Sequence, residues 1–186
     1  MRVIAGKYKG RRLNAPDNYD IRPTSDKAKE ALFSILTMEL YGSRVLDLFA
    51  GTGSLGIEAL SRGAGSCCFA DASRAALNLI KANLAHCGVE EETKVLAGDY
   101  KKVIAHLASK IVDGLEQPFD IILLDPPYGK GLLTDALERI SESGILAEGG
   151  VIAAEHRKEE DLPDTIGRFQ KEKERRYGIV KLSFYQ

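Results

Sequence analysis

The sequence predicts an α/β domain whose core is a doubly wound, mostly parallel β-sheet. Five short apolar runs recur through the middle of the chain, at residues 44–49, 67–71, 94–97, 119–124 and 150–155. Each of the first four precedes a segment with helical periodicity, and their spacing fits βαβ units of about 30 residues. Because such crossover connections are right-handed almost without exception, the runs predict parallel strands with helices on both faces.

The helical segments carry their own start and stop signals. After the second run, Ser73 is a candidate N-cap and Gly88 a candidate C-terminal stop, with apolar residues between them at spacings of three and four. The segment after the third run repeats this pattern, and the segment after the fourth ends at Gly144. These signals predict a helix after each of these strands.

The C-terminus departs from this alternation. Val180, Leu182 and Phe184 alternate with polar residues behind a glycine-containing turn, and residues 166–175 precede that turn. A period of two predicts β-structure, so the chain should end in a hairpin that adds an antiparallel strand to the sheet.

The N-terminus predicts a small appendage. Residues 3–6 and 10–13 can pair as a β-hairpin, residues 16–20 read as a loop, and Thr24 or Ser25 can cap a following helix. The full length of 186 residues suits one domain. We therefore expect a basic hairpin and loop extension over residues 1–24 and the main domain over residues 25–186.

Positive charge is concentrated at both ends of a chain whose net charge is only −1. Residues 1–16 carry five basic side chains and no acid, and residues 165–186 carry a net charge of +4. The rest of the chain must therefore hold ten excess negative charges. An acidic body with basic ends can meet a polyanion with one face only. The C-terminal charges fit ordinary solvated side chains equally well.

Other features favour a reduced, cytoplasmic protein. Cys67, Cys68 and Cys87 are odd in number and suit small buried side chains, and no paired spacing indicates a metal site. No apolar stretch reaches the 18 residues of a membrane helix, and the basic start lacks the apolar core of a signal peptide. The three histidines, at positions 86, 106 and 156, are interpreted as surface or helix-face residues.

A glycine-rich loop follows the first strand. Gly51, Gly53 and Gly56 match G-x-G-x-x-G, and Asp71 follows Gly51 by twenty residues, at the end of the second strand. This spacing is typical of dinucleotide-binding sites, where the acid binds a ribose hydroxyl. Asp47 argues against a dinucleotide because its charge would repel a pyrophosphate. It would instead attract the ammonium group of S-adenosylmethionine, which contains no phosphate.

A third acid follows the third strand. In a doubly wound sheet, ligands bind across the carboxyl ends of the strands, where Asp99 could accept a hydrogen bond from the amine of an adenine. An aspartate in this position is as often a helix N-cap, so both interpretations stay open.

The fourth strand leads directly into the sequence Asp125-Pro126-Pro127-Tyr128. Two consecutive prolines stiffen the corner, leaving the Asp125 carboxylate, the Pro126 carbonyl and the Tyr128 ring as a rigid bracket. Methylation of an exocyclic amine on a base needs such a bracket, because the nitrogen lone pair is delocalised into the ring. Two acceptors would orient the amine while the aromatic ring stacks on an extruded base.

These motifs carry a family resemblance. DLFAGTGSLGIEAL and DPPY resemble the class I S-adenosylmethionine-dependent methyltransferases that modify exocyclic amines, with a Rossmann-like sheet. RVIAGKYKGRRL and IRPTSDKAKEALFSIL resemble the bacterial 16S rRNA guanine-N2 methyltransferase family. The resemblance implies a cytoplasmic enzyme that binds S-adenosylmethionine and acts on 16S ribosomal RNA or an assembling small ribosomal subunit, without a metal. A monomer is favoured.

The resemblance also implies roles for individual residues. The catalytic bracket is expected to be Asp125, Pro126, Pro127 and Tyr128. The expected cofactor contacts are Asp47, Phe49, Gly51, Gly53, Asp71, Asp99 and Tyr100. The expected substrate contacts are the basic N-terminal side chains and the entrance residues, namely Arg2, Lys7, Lys9, Arg11, Arg12, Arg22 and Thr24.

Three alternatives stay open from the sequence alone. The same bracket could methylate the N6 amine of adenine in DNA or another RNA, or an amine of a protein. An NAD-dependent dehydrogenase would explain the glycine loop but would have no use for Asp47 or the DPPY motif. An inactive RNA-binding module would explain the basic ends but leave an intact DPPY motif unexplained.

Overall fold

The computed structural model describes residues 1–15, 26–129 and 131–186. Within these ranges it contains six α-helices: Asp26–Ile35 (α1), Thr37–Leu40 (α2), Ser54–Ser61 (α3), Arg74–Cys87 (α4), Tyr100–Val112 (α5) and Leu132–Ser143 (α6). It also contains eight strands: Arg44–Asp47 (β1), Ser66–Asp71 (β2), Thr93–Ala97 (β3), Phe119–Leu124 (β4), Leu146–Arg157 (β5), Thr165–Ile166 (β6), Phe169–Tyr177 (β7) and Val180–Tyr185 (β8). A short 3₁₀ helix spans Glu90–Glu92.

The eight strands form one sheet in the order β3-β2-β1-β4-β5-β8-β7-β6. Strands β1 to β5 pair in parallel, whereas β8 pairs antiparallel with β5 and then with β7. The predicted α/β fold, with a mostly parallel sheet and an antiparallel C-terminal hairpin, is confirmed. Strand order changes direction between β1 and β4, which is where doubly wound sheets bind their ligands.

Helices cover both faces of the sheet. Helices α1, α3 and α4 pack on one face, which we call the α1 face, and their apolar residues join a core with Val45 and Leu182. Helices α5 and α6 pack on the other face around Leu46 and Ile122. The alternation of strand side chains therefore buries apolar residues on both faces, as parallel central strands require.

The predicted helix signals act as expected. The Ser73 hydroxyl accepts a hydrogen bond from the backbone N–H of Ala76, and Gly88 ends α4 in the left-handed conformation. Gly144 ends α6 in the same way, with φ of 70°. Glycine adopts this conformation without the steric cost that a Cβ atom would add.

The N-terminal segment folds back on itself and packs onto the domain. An antiparallel bridge joins Arg2 to Arg12, and Val3 exchanges backbone hydrogen bonds with Gly10 and Arg11, so the two segments pair as predicted but form no regular strand. The side chains of Val3, Tyr8 and Leu13 are buried in the core of the α1 face. The loop expected at 16–20, the helix cap expected at Thr24 or Ser25, and the expected domain boundary between 24 and 25 lie outside the described residues.

One residue interpretation is wrong. His156 is fully buried on β5, not on the surface, and its ring nitrogens lie 2.8 Å from the Ser183 hydroxyl and 3.1 Å from the Arg157 carbonyl. Burial lowers the pKa of His156. The three cysteines are buried and unpaired, as expected. Among the described residues, no helix is both long and apolar enough to span a membrane.

Candidate active site

The glycine loop joins β1 to α3 through two left-handed glycines. Gly51 has φ of 54° and Gly53, which precedes α3, has φ of 79°. Gly56 is needed for another reason: a Cβ atom there would lie 2.2 Å from the Phe69 ring and 2.7 Å from Cys67 Sγ. The three glycines therefore allow a tight turn and a close approach of α3 to β2.

Asp47, the last residue of β1, is buried beneath this loop. Its Oδ2 atom accepts a hydrogen bond of 3.0 Å from the backbone N–H of Gly56. Its Oδ1 atom has no hydrogen-bond partner in the part of the chain that the structure describes. The pKa of Asp47 is raised to about 7, chiefly by burial and also by the nearby charges of Asp125 and Asp71, against the opposing effect of the Gly56 hydrogen bond.

Asp71, the last residue of β2, holds the loop in place. Its two carboxylate oxygens accept the backbone N–H groups of Gly51 at 2.9 Å and Ser73 at 2.8 Å. A carboxylate has about four acceptor positions, so these bonds leave capacity for a hydroxyl donor. The arrangement fixes both the glycine loop and the start of α4 around one half-exposed carboxylate.

The carboxylates of Asp71 and Asp125 lie close enough to Asp47 to raise the pKa of Asp47. A buried carboxylate oxygen without a partner is costly unless a donor reaches it. The most favourable donor here is a cation, since the surrounding charges are negative. This edge of the sheet therefore suits a ligand with a positively charged amino group and disfavours a pyrophosphate, which favours S-adenosylmethionine over NAD.

The third expected contact region lies at the end of β3. Asp99 caps α5 by accepting the backbone N–H of Lys101 at 2.9 Å, so the N-cap interpretation is confirmed for one of its oxygens. The rings of Phe49 and Tyr100 are 5.3 Å apart between centroids. The Tyr100 hydroxyl donates to Asp135 at 2.6 Å, and burial together with this bond raises the pKa of Tyr100 to about 12.

The DPPY corner lies at the end of β4, next to β1 in the sheet. Pro126 is buried, while Asp125 and Tyr128 are partly exposed. The Tyr128 hydroxyl donates a hydrogen bond of 2.8 Å to Glu155 Oε1, and the Arg157 guanidinium lies over the Tyr128 ring, 5.4 Å from its centroid. Burial and the Glu155 carboxylate raise the pKa of Tyr128, so its hydroxyl stays protonated.

Glu155 is a site residue that the sequence did not predict. It is 2% exposed and lies in β5, one position after Ala154, which pairs with Leu124. Asp125 likewise follows Leu124, so the parallel register brings Glu155 beside the DPPY corner. The sequence signal was an acid directly after the apolar run at residues 151–154, which is unusual because a buried carboxylate needs a partner.

The structure separates the expected substrate residues into two groups. Arg2 and Arg12 lie at the open end of the N-terminal turn, where the Arg2 carbonyl and Ser54, at the start of α3, both accept from Lys29. The turn itself contacts the last residue of α3: the N–H groups of Lys7 and Tyr8 donate to Ser61.

An eight-residue helix is about 12 Å long, so Lys7 and Lys9 lie about that far from the glycine loop. Arg11 donates to the carbonyls of His86 and Cys87 at the far end of α4. Arg22 and Thr24 lie outside the described residues.

The chain is similar to known proteins over its whole length. All 186 residues match the protein family described as Conserved hypothetical protein 95. The chain belongs to this family. YlbH of Bacillus subtilis (strain 168) is 40% identical over 186 residues, covering 100% of this chain and 98% of that protein.

A second relative and a solved structure also match the chain over its whole length. Ribosomal RNA small subunit methyltransferase D of Escherichia coli (strain K12) is 32% identical, covering 100% of this chain and 89% of that protein. The solved structure of the Escherichia coli protein yhhF aligns with a TM-score of 0.85 at 32% identity, covering 100% of this chain and 97% of that one. The expected Rossmann-like methyltransferase fold and family are confirmed. These names do not specify which base atom is methylated.

Proposed function

We propose that this chain transfers a methyl group from S-adenosylmethionine to the exocyclic N2 amine of a guanine in 16S ribosomal RNA. The observation that carries the proposal is that the DPPY corner lies beside the buried carboxylate of Asp47, where the strand order reverses between β1 and β4. The relationship to ribosomal RNA small subunit methyltransferases supports the RNA substrate. The N-terminal resemblance supports guanine N2 over the other exocyclic amines.

Residues at and just after the carboxyl ends of β1, β2 and β3 would hold the cofactor. The partnerless Asp47 oxygen would accept the ammonium group, Asp71 would accept a ribose hydroxyl, and Asp99 would accept from the adenine amine. Gly51 and Gly53 would let the backbone approach closely, and Phe49 and Tyr100 would contact the adenine edge. When bound, S-adenosylmethionine supplies an electrophilic methyl group on its sulfonium.

The DPPY corner would prepare the acceptor amine. Asp125 and the Pro126 carbonyl would each accept one N–H of the amine, directing the nitrogen lone pair at the methyl carbon. Pro127 would keep the corner rigid, and the Tyr128 ring would stack on the extruded base. The nitrogen would form the new C–N bond as the methyl carbon's bond to sulfur breaks and S-adenosylhomocysteine leaves. The nitrogen would then release one proton to water, with no covalent intermediate on the enzyme.

Basic residues would bind the RNA backbone. Arg2 and Arg12 lie near the glycine loop and would contact phosphates close to the target base. By the resemblance alone, Arg22 and Thr24 would help to shape the substrate entrance. Lys7, Lys9 and Arg11 lie at the opposite end of α3 and α4, so they would contact a more distant part of 16S RNA or of the assembling small subunit.

The test is methyl transfer from labelled S-adenosylmethionine to alternative acceptors. Unmodified 16S ribosomal RNA, assembling small-subunit particles, duplex DNA and total protein are offered separately. We expect label in the RNA, either naked or in particles. Label in DNA or protein, with none in either RNA sample, would overturn the proposal.

The raised pKa of Asp47 predicts a pH-dependent cofactor affinity. Near pH 6 the free carboxyl is mostly protonated, whereas binding an ammonium group favours its ionised form. Affinity for S-adenosylhomocysteine, which keeps the amino group, should therefore increase as pH rises from 5.5 to about 7, by at most about tenfold per unit. Calorimetry across this range checks the slope.

The matched variant is Asp47→Asn, which keeps the shape but not the charge. It should weaken binding by about 1.5–3 kcal/mol at neutral pH and remove the pH slope. Because the pKa of Asp47 in the folded chain exceeds its unfolded value, the free energy of unfolding of the wild type should fall between about pH 4 and about pH 7. If cofactor affinity depends on pH as steeply in Asp47→Asn as in the wild type, another group causes that dependence.

The Tyr128 hydroxyl provides a second test. From the sequence alone, Tyr128→Phe should be mild, because the ring that stacks on a base remains. In the structure this substitution removes the hydrogen bond to buried Glu155 and leaves a carboxylate without that donor. We therefore expect Tyr128→Phe to lower turnover about tenfold or more, on the scale of one lost bond to a charged group.

The control for Tyr128→Phe is the double variant Tyr128→Phe/Glu155→Leu, which removes both partners. The double variant should recover part of the free energy of unfolding that Tyr128→Phe loses. Tyr128→Ala should lower activity further, because the lost stacking of the ring on the base is worth about 1–3 kcal/mol. Steady-state kinetics and urea unfolding separate these effects. Equal turnover of wild type and Tyr128→Phe would show that the Glu155 contact does not position the ring.

A further inference from the structure

Strand β7 carries two exposed basic residues on one face of the sheet. Its sequence is FQKEKERRY, and Lys173, Arg175 and Tyr177 pair with Phe184, Leu182 and Val180 of β8. Directly opposed residues of an antiparallel pair point to the same face. Because Leu182 and Phe184 join the core of the α1 face, Lys173, Arg175 and Tyr177 also lie on that face.

The acidic residue Glu174 lies on the other face. It forms ion pairs with Lys181 at 3.0 Å and Lys171 at 3.5 Å, so its charge is balanced there. Lys173 and Arg175 are exposed, and neither forms an ion pair with a carboxylate of the described residues. The α1 face of β7 therefore presents two exposed cations, Lys173 and Arg175, that form no ion pair within the described residues.

The strand register connects this surface to the DPPY corner. Glu155 of β5 is opposite Leu182 of β8, which is opposite Arg175 of β7. Neighbouring strands are about 4.8 Å apart, so Arg175 lies about 10 Å from the residue that holds the Tyr128 hydroxyl.

Arg157 adds a third cation to this face, in the neighbouring row of the sheet. It is two residues after Glu155 on β5, so it points to the same α1 face, and its guanidinium lies over the Tyr128 ring. In the next row, Arg157 is opposite Val180 and then Tyr177. Three cations therefore lead away from the DPPY corner along one face.

We propose that Arg157, Arg175 and Lys173 bind the phosphate backbone of the RNA strand that enters the DPPY corner. This inference rests on the proposed function and identifies a substrate surface that the N-terminal resemblance did not include. A single strand suits the surface, because a base must leave its stack to reach Tyr128 while its neighbouring phosphates stay near the rim. The exposed, unpaired cations match a polyanion in charge.

The test uses the full chain with Lys173→Gln and Arg175→Gln together. Its control is Lys81→Gln with Lys110→Gln, which removes the same charge from α4 and α5. Affinity for 16S ribosomal RNA is measured by filter binding at several salt concentrations, alongside methyl transfer and binding of S-adenosylhomocysteine. The conservative pair Lys173→Arg and Arg175→Lys keeps the charge and checks that folding is not the cause.

We expect the test variant to lose about tenfold in RNA affinity, with the slope of log affinity against log salt flattened by about 1.4 for two single-strand contacts. The control and the conservative pair should bind like the wild type, and cofactor affinity should not change. If the test variant has the same RNA affinity and the same salt dependence as the control, the proposed RNA-binding role of this surface is wrong, while the proposed function is unaffected.

Two other outcomes distinguish the remaining cases. If the variant binds and methylates naked RNA normally but fails only on small-subunit particles, the surface contacts a ribosomal protein and the RNA assignment is overturned. If the wild type itself neither binds nor methylates RNA, the proposed function fails, and this inference fails with it.

Discussion

Replacing Asp125 with alanine is expected to reduce methyl transfer at least about 100-fold while changing cofactor affinity little. Asp125 is half-exposed at the end of β4, and its proposed task is to accept an N–H of the target amine. That contact orients the lone pair during transfer, so its loss should appear in kcat more than in the KM for RNA. Single-turnover kinetics with labelled cofactor measure the chemical step directly.

The control for this experiment is Asp113→Ala, which removes an exposed carboxylate at the far end of α5. It should retain nearly full activity. Calorimetry with S-adenosylhomocysteine should give similar affinities for both variants and the wild type. Near-normal turnover in Asp125→Ala would show that the DPPY carboxylate does not orient the amine.

The largest effect on stability is expected from Glu58→Ala. Glu58 is fully buried in α3 and accepts the backbone N–H groups of Ile4 at 2.8 Å and Ala5 at 3.0 Å. It also pairs with buried Lys29 at 3.4 Å and with Arg62 at 2.8 Å. Removing it leaves a buried ammonium without its carboxylate, which typically costs about 3–5 kcal/mol.

Urea unfolding of Glu58→Ala measures this loss in the free energy of unfolding. The matched control is Glu30→Gln, because Glu30 forms an exposed ion pair with the same Arg62 at 2.9 Å. An exposed pair is worth about 0–1 kcal/mol, so the control should change little. If Glu58→Ala destabilises the protein no more than Glu30→Gln, Glu58 does not hold the N-terminal segment on α3.

The periodicity of apolar residues was sufficient to predict the helices and strands, because each element buries the apolar side chains that form its own pattern. The strand runs, the Ser73 cap and the Gly88 and Gly144 stops are local signals, and the structure preserves all of them. The carboxyl-edge residues followed from the same logic, since parallel strands bring their ends to one edge. Asp47 and Asp71 therefore meet although 24 positions separate them in the chain.

Non-local register could not be predicted in this way. Glu155 reaches Tyr128 only because Leu124 pairs with Ala154, and no local pattern specifies that pairing. The position of His156 has the same origin, since its neighbour Ser183 comes from β8. The charge distribution along the sequence also did not predict that the turn containing Lys7 would bind Ser61, at the distant end of α3.

The central claim is that the DPPY corner methylates the N2 amine of a guanine, and nucleoside analysis tests it most directly. Unmodified 16S ribosomal RNA and small-subunit particles are incubated with the enzyme and methyl-labelled S-adenosylmethionine, then digested to nucleosides and separated by mass spectrometry. The label should appear in N2-methylguanosine and be absent when Asp125→Ala replaces the wild type. Label in N6-methyladenosine, or in a base methylated on a ring carbon, would contradict the claim.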